Sequence, residues 1–303
     1  MRRSFTRRVV ITSGLAAAAA CAPTTSVIPH DDRGTQFHAK MLQIEQRVGG
    51  RVGVVALNSA NNVTLGYRAD ERFAMCSMFK WLLAAQVLQM DMHMPGFLAQ
   101  QVRFNEAYLA NLGHTPVTRA NLARGWMTVE ELAEAAVTQS DNGAANLLLE
   151  GVMGPAGLTR FLRANGDSVT RLDRNEPSLN ENTPGDLRDT TTPDAMAHTM
   201  VRFLTTDTPL NPTARAKLTG WLVGNQTGGA RLRAGLPADW RVGDKTGTSD
   251  GDHNATTDIA ICWSAPASAP IVIACFLSDS TVDLDARNAA HADVARAVVQ
   301  TWS

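Results

Sequence analysis

Ser77-Met78-Phe79-Lys80-Trp81-Leu82-Leu83-Ala84-Ala85-Gln86-Val87-Leu88-Gln89-Met90 is the stretch that decides the fold. Its hydrophobicity is nearly continuous, so it reads as a helix buried on most sides. A helix of that kind needs layers of structure packed around it. Ser77 and Lys80 stand at its start, and an ammonium among Cys76, Phe79, Trp81 and Leu82 is costly unless paired.

Upstream, Phe37, Met41, Ile44 and Val48 recur at helical spacing and predict an amphipathic helix over 34–48, ended by Gly49-Gly50. Arg51–Leu57 and Val63–Tyr67 are rich in β-formers and flank a hairpin connection, Asn58-Ser59-Ala60-Asn61-Asn62. Downstream the pattern is helical. Thr128 with Glu131 is a capping-box pair opening a helix to about Gln139, and Asn142-Gly143 begins the next. Pro155–Ala164 closes at Asn165-Gly166, Thr192-Pro193-Asp194 starts another helix, and one more lies near 212–224. Strands return at Trp240–Thr248, Thr257–Ser264 and Pro270–Ser278, before a last helix from about Ala286 to Trp302.

Strands at both ends with helices between predict an α/β plus all-α fold, an antiparallel sheet flanked by helices with an inserted helical domain. Residues 34–69 and 224–303 would form the discontinuous α/β domain and 70–223 the helical one, with a cleft where they meet. A chain of 303 residues, 44% hydrophobic and 19% charged, can bury such a core. Its formal charge of −1 and lack of a long Lys/Arg block leave no electrostatic footprint for nucleic acid, and favour a small, locally recognised ligand.

At the N-terminus, Arg2, Arg3, Arg7 and Arg8 precede an uncharged run from Val9 to Ala20, which reads as a cleavable export signal over 1–21 followed by a polar leader, 22–33. Arg2-Arg3-Ser4-Phe5 looks like a twin-arginine signal, though an ordinary Sec n-region also fits, and Cys21 is a candidate lipid anchor. The expected location is periplasmic or secreted. Cys76, Cys262 and Cys275 make no disulfide framework. A Cys262–Cys275 bridge is conceivable across a hairpin, with two buried thiols the favoured reading. No Cys/His spacing suggests a metal, no cofactor is implied, and Asp250-Gly251-Asp252-His253 reads as a solvated turn.

The chemistry lies in three short motifs. Ser77 and Lys80 fall on one face of a helix start, where a neutralised Lys80 could take the serine proton. Ser140-Asp141-Asn142, between two apolar helices, offers a hydroxyl for proton transfer to a leaving nitrogen and an amide for a substrate carbonyl. Lys245-Thr246-Gly247 ends a strand, where the lysine and threonine can hold a carboxylate and the glycine allows close approach of a flat substrate. Each alone has a bland alternative: an exposed helix pair, an N-capped turn, an edge-strand charge. Residues 167–191 form a long irregular segment whose Arg/Asp content suggests an Ω-loop held by ion pairs.

All three motifs in this order resemble those of class A serine β-lactamases, over roughly residues 34–303. The resemblance extends through Glu176-Pro177-Ser178-Leu179-Asn180 and Pro184–Pro193 in the Ω-loop. It implies hydrolysis of a β-lactam amide through an acyl-enzyme, giving antibiotic resistance, in a monomer acting on small β-lactams. By that resemblance Ser77 is the nucleophile, Lys80 and Glu176 are candidate acylation bases, and Glu176 with Asn180 holds the hydrolytic water. Ser140 relays a proton, Asn142, Lys245, Thr246, Gly247 and Thr248 bind substrate, and the N–H groups of Ser77 and Thr248 form the oxyanion hole. Arg174 and Asp189 pair at the loop's neck.

Residues 248–258 lack the arginine that many relatives use for the substrate carboxylate, and Arg231 resembles the alternative location, with Arg233 structural. His114 falls where relatives often carry an aromatic cleft residue. Ser249 replaces the cysteine that bridges Cys76 in some carbapenem-hydrolysing relatives. A penicillin-binding peptidase and a non-hydrolytic β-lactam sensor are the competing readings. Glu176 and Asn180 argue against the first, and the lack of a transmembrane signalling segment against the second.

Overall fold

A computed structural model describes residues 32–249 and 253–302. The predicted export signal, Cys21, nearly all of the leader and Asp250-Gly251-Asp252 lie outside these residues. The chain runs through α1 (Asp32–Val48), β1 (Arg51–Asn58), β2 (Val63–Tyr67) and β3 (Phe73–Ala74) to a 3₁₀ turn at Cys76–Phe79. There follow α2 (Lys80–His93), β4 (Gln101–Arg103), α3 (Glu106–Leu109), α4 (Pro116–Ala120), β5 (Trp126–Thr128), α5 (Val129–Thr138), α6 (Asn142–Gly151) and α7 (Gly154–Ala164). After the loop come β6 (Thr190–Thr191), α8 (Pro193–Thr205), α9 (Pro212–Val223), α10 (Leu232–Gly235), β7 (Arg241–Thr248), β8 (Thr256–Trp263), β9 (Ile271–Ser278) and α11 (Leu284–Trp302).

The main sheet has the order β2-β1-β9-β8-β7, antiparallel throughout. Successive side chains on a strand point to opposite faces. Val54, Cys262, Ile273 and Cys275 therefore meet Phe37, Met41 and Ile44 of α1 and Val294 and Val298 of α11 in one buried cluster. Val55, Ile259, Ile261, Val272 and Phe276, from the opposite face, join the core built around α2 and its neighbouring helices. Both faces are covered, which is why these strands read as continuous apolar runs. No helix among the described residues is long and apolar enough to cross a membrane.

Every α2 residue from Lys80 to Leu88 is buried, as its composition requires. The predicted helix start moves, however: Ser77 lies on the 3₁₀ turn and the α-helix begins at Lys80. The capping box forms, with Thr128 Oγ1 accepting from Glu131 N and Glu131 Oε2 accepting from Thr128 N. Cys262 and Cys275 are separate buried thiols, and Cys262 Sγ donates to Ile271 O at 3.3 Å.

Candidate active site

Ser77 is delivered by a strained turn. Cys76, immediately before the serine, and Ser140, in the cleft lining, have φ of 45° and 56°, a left-handed conformation unfavourable for side chains with a Cβ. Around them lies a cleft of about 400 Å³, lined by Ser77, His114, Ser140, Asn142, Asn180, Thr227, Arg231 and Thr246–Thr248.

Glu176 joins the two halves of the chemistry. Its Oε1 accepts from Ser77 Oγ at 2.8 Å and lies 2.9 Å from Lys80 Nζ, and its Oε2 accepts from Asn180 Nδ2 at 2.5 Å. Lys80 and Glu176 have fully buried side chains, so each offsets the desolvation of the other. Lys80 Nζ also donates to Ser140 O at 2.7 Å and to Asn142 Oδ1 at 2.6 Å. With Glu176, these acceptors match the three N–H bonds of an ammonium.

The Ω-loop holds Glu176 by means the sequence predicts only in part. Asp189, completely buried, accepts from Arg174 Nε at 2.6 Å and from the backbone N–H groups of Asp173 and Arg174. Arg171–Asp173 and Arg188–Asp186 add pairs nearer the surface. Asn146 of α6 was not singled out by its sequence context, yet its side chain brackets Glu176: Oδ1 accepts from Glu176 N at 3.0 Å, and Nδ2 donates to Glu176 O at 2.9 Å. The Glu176–Pro177 peptide is cis.

Ser140, Asp141 and Asn142 divide their work. Asp141 caps α6 through Ala144 N and also accepts from the N–H groups of Val117 and Thr118, fixing the loop that carries His114. Asn142 donates to Leu112 O at 2.7 Å as well as accepting from Lys80. Ser140 Oγ accepts from Lys245 Nζ at 3.0 Å and stands 3.5 Å from Lys80 Nζ, so it lies between two lysines with its own proton free to be directed elsewhere.

On β7, Lys245 is fully buried and also donates to Thr246 O at 2.7 Å. Burial pushes its ammonium well below the ordinary lysine range, and the neighbouring Lys80 charge pushes the same way. Gly247 lines the cleft and also sits against the serine turn. A Cβ there would lie 2.6 Å from Met75 O and 3.0 Å from Cys76 Cβ, so the glycine is needed first to admit the serine turn. Thr246 Oγ1 lies 2.5 Å from Thr227 Oγ1, and Thr248 Oγ1 accepts from Arg231 Nη2 at 2.7 Å.

Arg231 reaches the cleft from beyond β7. Its Nη1 donates to Gly247 O and Thr257 O, and its Nε to Asn288 Oδ1. With the bond to Thr248, four of five guanidinium N–H bonds are used, leaving one on Nη2. Arg233 instead pairs with buried Asp244 and the carbonyls of Leu222 and Val223. His114 Nε2 lies 2.9 Å from Gln139 O. Cys76 is a buried thiol outside any disulfide, and Ser249, in the place of the bridging cysteine, accepts from Ala255 N through its Oγ.

A hydroxyl on a strained turn, bonded to a buried carboxylate that also holds a lysine, within a cleft ending at an arginine, defines an active-serine hydrolase. Residues 36–302 match the model of the Beta-lactamase enzyme family. A β-lactamase of Streptomyces fradiae is 40% identical over 302 residues, covering 98% of this chain and 97% of that one. CTX-M-8 of Citrobacter amalonaticus is 44% identical over 263 residues, 87% of this chain and 88% of its own. The solved structure of an ancestral Gram-negative class A β-lactamase is 52% identical with a TM-score of 0.83, covering 87% of this chain and 99% of that one. The chain belongs to the class A serine β-lactamase family.

Proposed function

We propose that the protein hydrolyses the β-lactam amide, and so confers antibiotic resistance, through a Ser77 acyl-enzyme formed and released with the help of Glu176. The observation carrying this reading is the shared Glu176 Oε1, bonded to the Ser77 hydroxyl and facing Lys80. Of the two candidate bases for acylation, the geometry favours Glu176, because Ser77 already donates to it and the Lys80 donors point at acceptors. As Ser77 Oγ bonds to the lactam carbonyl carbon, its proton passes to Glu176. The carbonyl oxygen, negative in the tetrahedral intermediate, accepts from the Ser77 and Thr248 N–H groups.

The C–N bond then breaks, and the nitrogen takes the Ser140 proton, replaced from Lys245. A lysine whose ammonium is destabilised by burial is a better acid for that step. The proton on Glu176 returns through Lys80 and Ser140, which resets the site. Asn142 supplies a second N–H for the substrate's side-chain carbonyl, and Arg231, Thr246 and Lys245 attract its ring carboxylate.

For release, Asn180 Oδ1 is buried without a hydrogen-bond partner in the protein, beside Glu176. An unsatisfied buried acceptor costs about 1–3 kcal/mol, so a water donating there and to Glu176 is favoured. Glu176 takes one proton of that water as its oxygen bonds to the ester carbon, and hands that proton to Ser77 Oγ as the C–O bond breaks, so the serine leaves as a hydroxyl and Glu176 is again a carboxylate. This step separates a lactamase from the peptidase and sensor readings. Nitrocefin turnover by the purified protein tests it: repeated turnover is expected, and stable acylation without turnover would overturn it.

We also propose that residues 34–69 with 224–303 form one domain and 70–223 the other, supported by the α1/α11 apolar cluster, which draws only on the first set. Export through the Arg2–Ala20 segment and a monomeric state complete the reading. The mass of protein recovered from the periplasm and its sedimentation test these two points.

A further inference from the structure

Asp258 occupies a place where a carboxyl needs a reason. It is completely buried in the middle of β8, on the sheet face turned away from Ser77, in register with Thr246 of β7. Its Oδ2 accepts from Leu232 N at 3.1 Å, immediately beyond Arg231, and its Oδ1 has no hydrogen-bond partner. A purely structural anchor for one N–H would not need a second oxygen left unsatisfied in the interior.

The reason lies with Arg231. Its guanidinium is buried and bonded to neutral acceptors, the carbonyls of Gly247 and Thr257, Thr248 Oγ1 and Asn288 Oδ1. Among the described residues no carboxylate lies within ion-pair distance of it. Burial drives Arg231 below its ordinary range and, together with Asp244, lifts Asp258 well above the ordinary carboxylate range; the strongest opposing field on each is the other. Arg231 is the N-cap of α10 (φ −104°, ψ −127°): its N–H donates to Gly228 O, its C=O accepts from Ala234 N, and its own side chain makes no cap bond. The peptide after it is held by Asp258. Other charged groups nearby are committed or opposed. Asp244 is paired with Arg233, Arg287 carries the same sign as Arg231, and buried His291, next to Thr256, is pushed well below the ordinary histidine range by burial first and then by Arg231.

We propose that Asp258 is a positioning residue for Arg231: from behind the β7–β8 ladder it fixes the Arg231–Leu232 peptide and balances the guanidinium charge without occupying it. The remaining Nη2 N–H is thereby kept for a substrate carboxylate. This inference rests on the reading of Arg231 as the carboxylate-binding residue and extends it to a group that never touches substrate.

The test compares a cephalosporin with its C4 methyl ester, which lacks the carboxylate, in the wild type, Asp258→Asn, Arg231→Ala and the double variant. Asp258→Val is added because an apolar β-branched residue suits a buried central strand, so a folding failure of one variant leaves the other. Asp258→Asn or Asp258→Val is expected to lower kcat/KM for the acid about tenfold, through KM, and to cost the ester at least fivefold less. In the Arg231→Ala background the same change should add less than twofold. Equal losses on acid and ester, or multiplicative effects in the double variant, would overturn the positioning role. If Arg231→Ala itself fails to discriminate acid from ester, the carboxylate reading of Arg231 fails, and the inference falls with it.

Discussion

Ser77 Oγ donates to Glu176 Oε1 at 2.8 Å although the two residues are 99 positions apart. The attacking hydroxyl and the carboxylate proposed to free the acyl group are thus one hydrogen-bonded unit before substrate arrives. Such preorganisation places the cost of ordering these groups in folding and not in the reaction.

Asn146 supports that unit through both backbone groups of Glu176. Asn146→Ala leaves a buried N–H and C=O without these partners, so about 2 kcal/mol of stability should be lost. The expected kinetic signature is a fall in kcat of tenfold or more with a smaller change in KM. An unchanged kcat in the folded variant would show that the loop holds Glu176 without this clamp.

Arg174→Ala leaves the Asp189 carboxylate buried without its ion-pair partner. Denaturant titration should show a loss of about 3 kcal/mol, within the range for breaking a buried pair. Deacylation should slow more than acylation, because the neck closes the loop bearing Glu176 but not the turn bearing Ser77. A loss below 1 kcal/mol would place the pair among ordinary surface contacts.

Most of the main elements are legible in the sequence because their burial is periodic or continuous. Phe37, Met41, Ile44 and Val48 mark α1, and both faces of β8 and β9 are covered, so those strands read as apolar runs. The segment between α2 and α5 is not legible in this way. β4, β5, α3 and α4 are three to five residues long, too short to present a period. The motif residues are visible because their types are chemically distinctive. Asn146 is not, since an asparagine inside a helix gives no sign of a partner thirty residues away. Asp258 is hidden for the same reason: its meaning lies in Leu232 and Arg231, which only the sheet brings to it. Gly247 is visible as a glycine, but the atom it makes room for, Met75 O, becomes evident only in three dimensions.

Gly247→Ala should therefore act on the nucleophile. The added methyl would stand 2.6 Å from Met75 O, a backbone atom, so the Cys76–Ser77 turn must shift. A tenfold or greater loss of acylation rate is expected in pre-steady-state measurements. Normal acylation with only a raised KM would instead assign the glycine to substrate approach.

Lys245 sets a limit at high pH. Its ammonium is held well below the ordinary value of 10.5 by burial first and Lys80 second, so it loses its proton earlier than a solvated lysine. As pH rises through that depressed value, the proton for Ser140 and the attraction for the substrate carboxylate both disappear. The kcat/KM profile should consequently fall on its alkaline side below pH 10.5. Lys245→Arg, which keeps its charge, should retain reduced activity without that limb. An identical alkaline limb in the variant would assign the titration elsewhere.

The most direct test of the central claim is intact-protein mass spectrometry of Glu176→Ala during reaction with benzylpenicillin. Removing the carboxylate leaves Lys80, still bonded to Ser140 and Asn142, as the remaining group to assist Ser77 more slowly, but leaves no base for the water beside Asn180. The expected result is a protein heavier by the mass of the penicillin, persisting for minutes or longer while turnover falls by about a thousandfold or more. Steady-state turnover near that of the wild type, with no acyl-enzyme detectable, would contradict the role of Glu176 in releasing the acyl group.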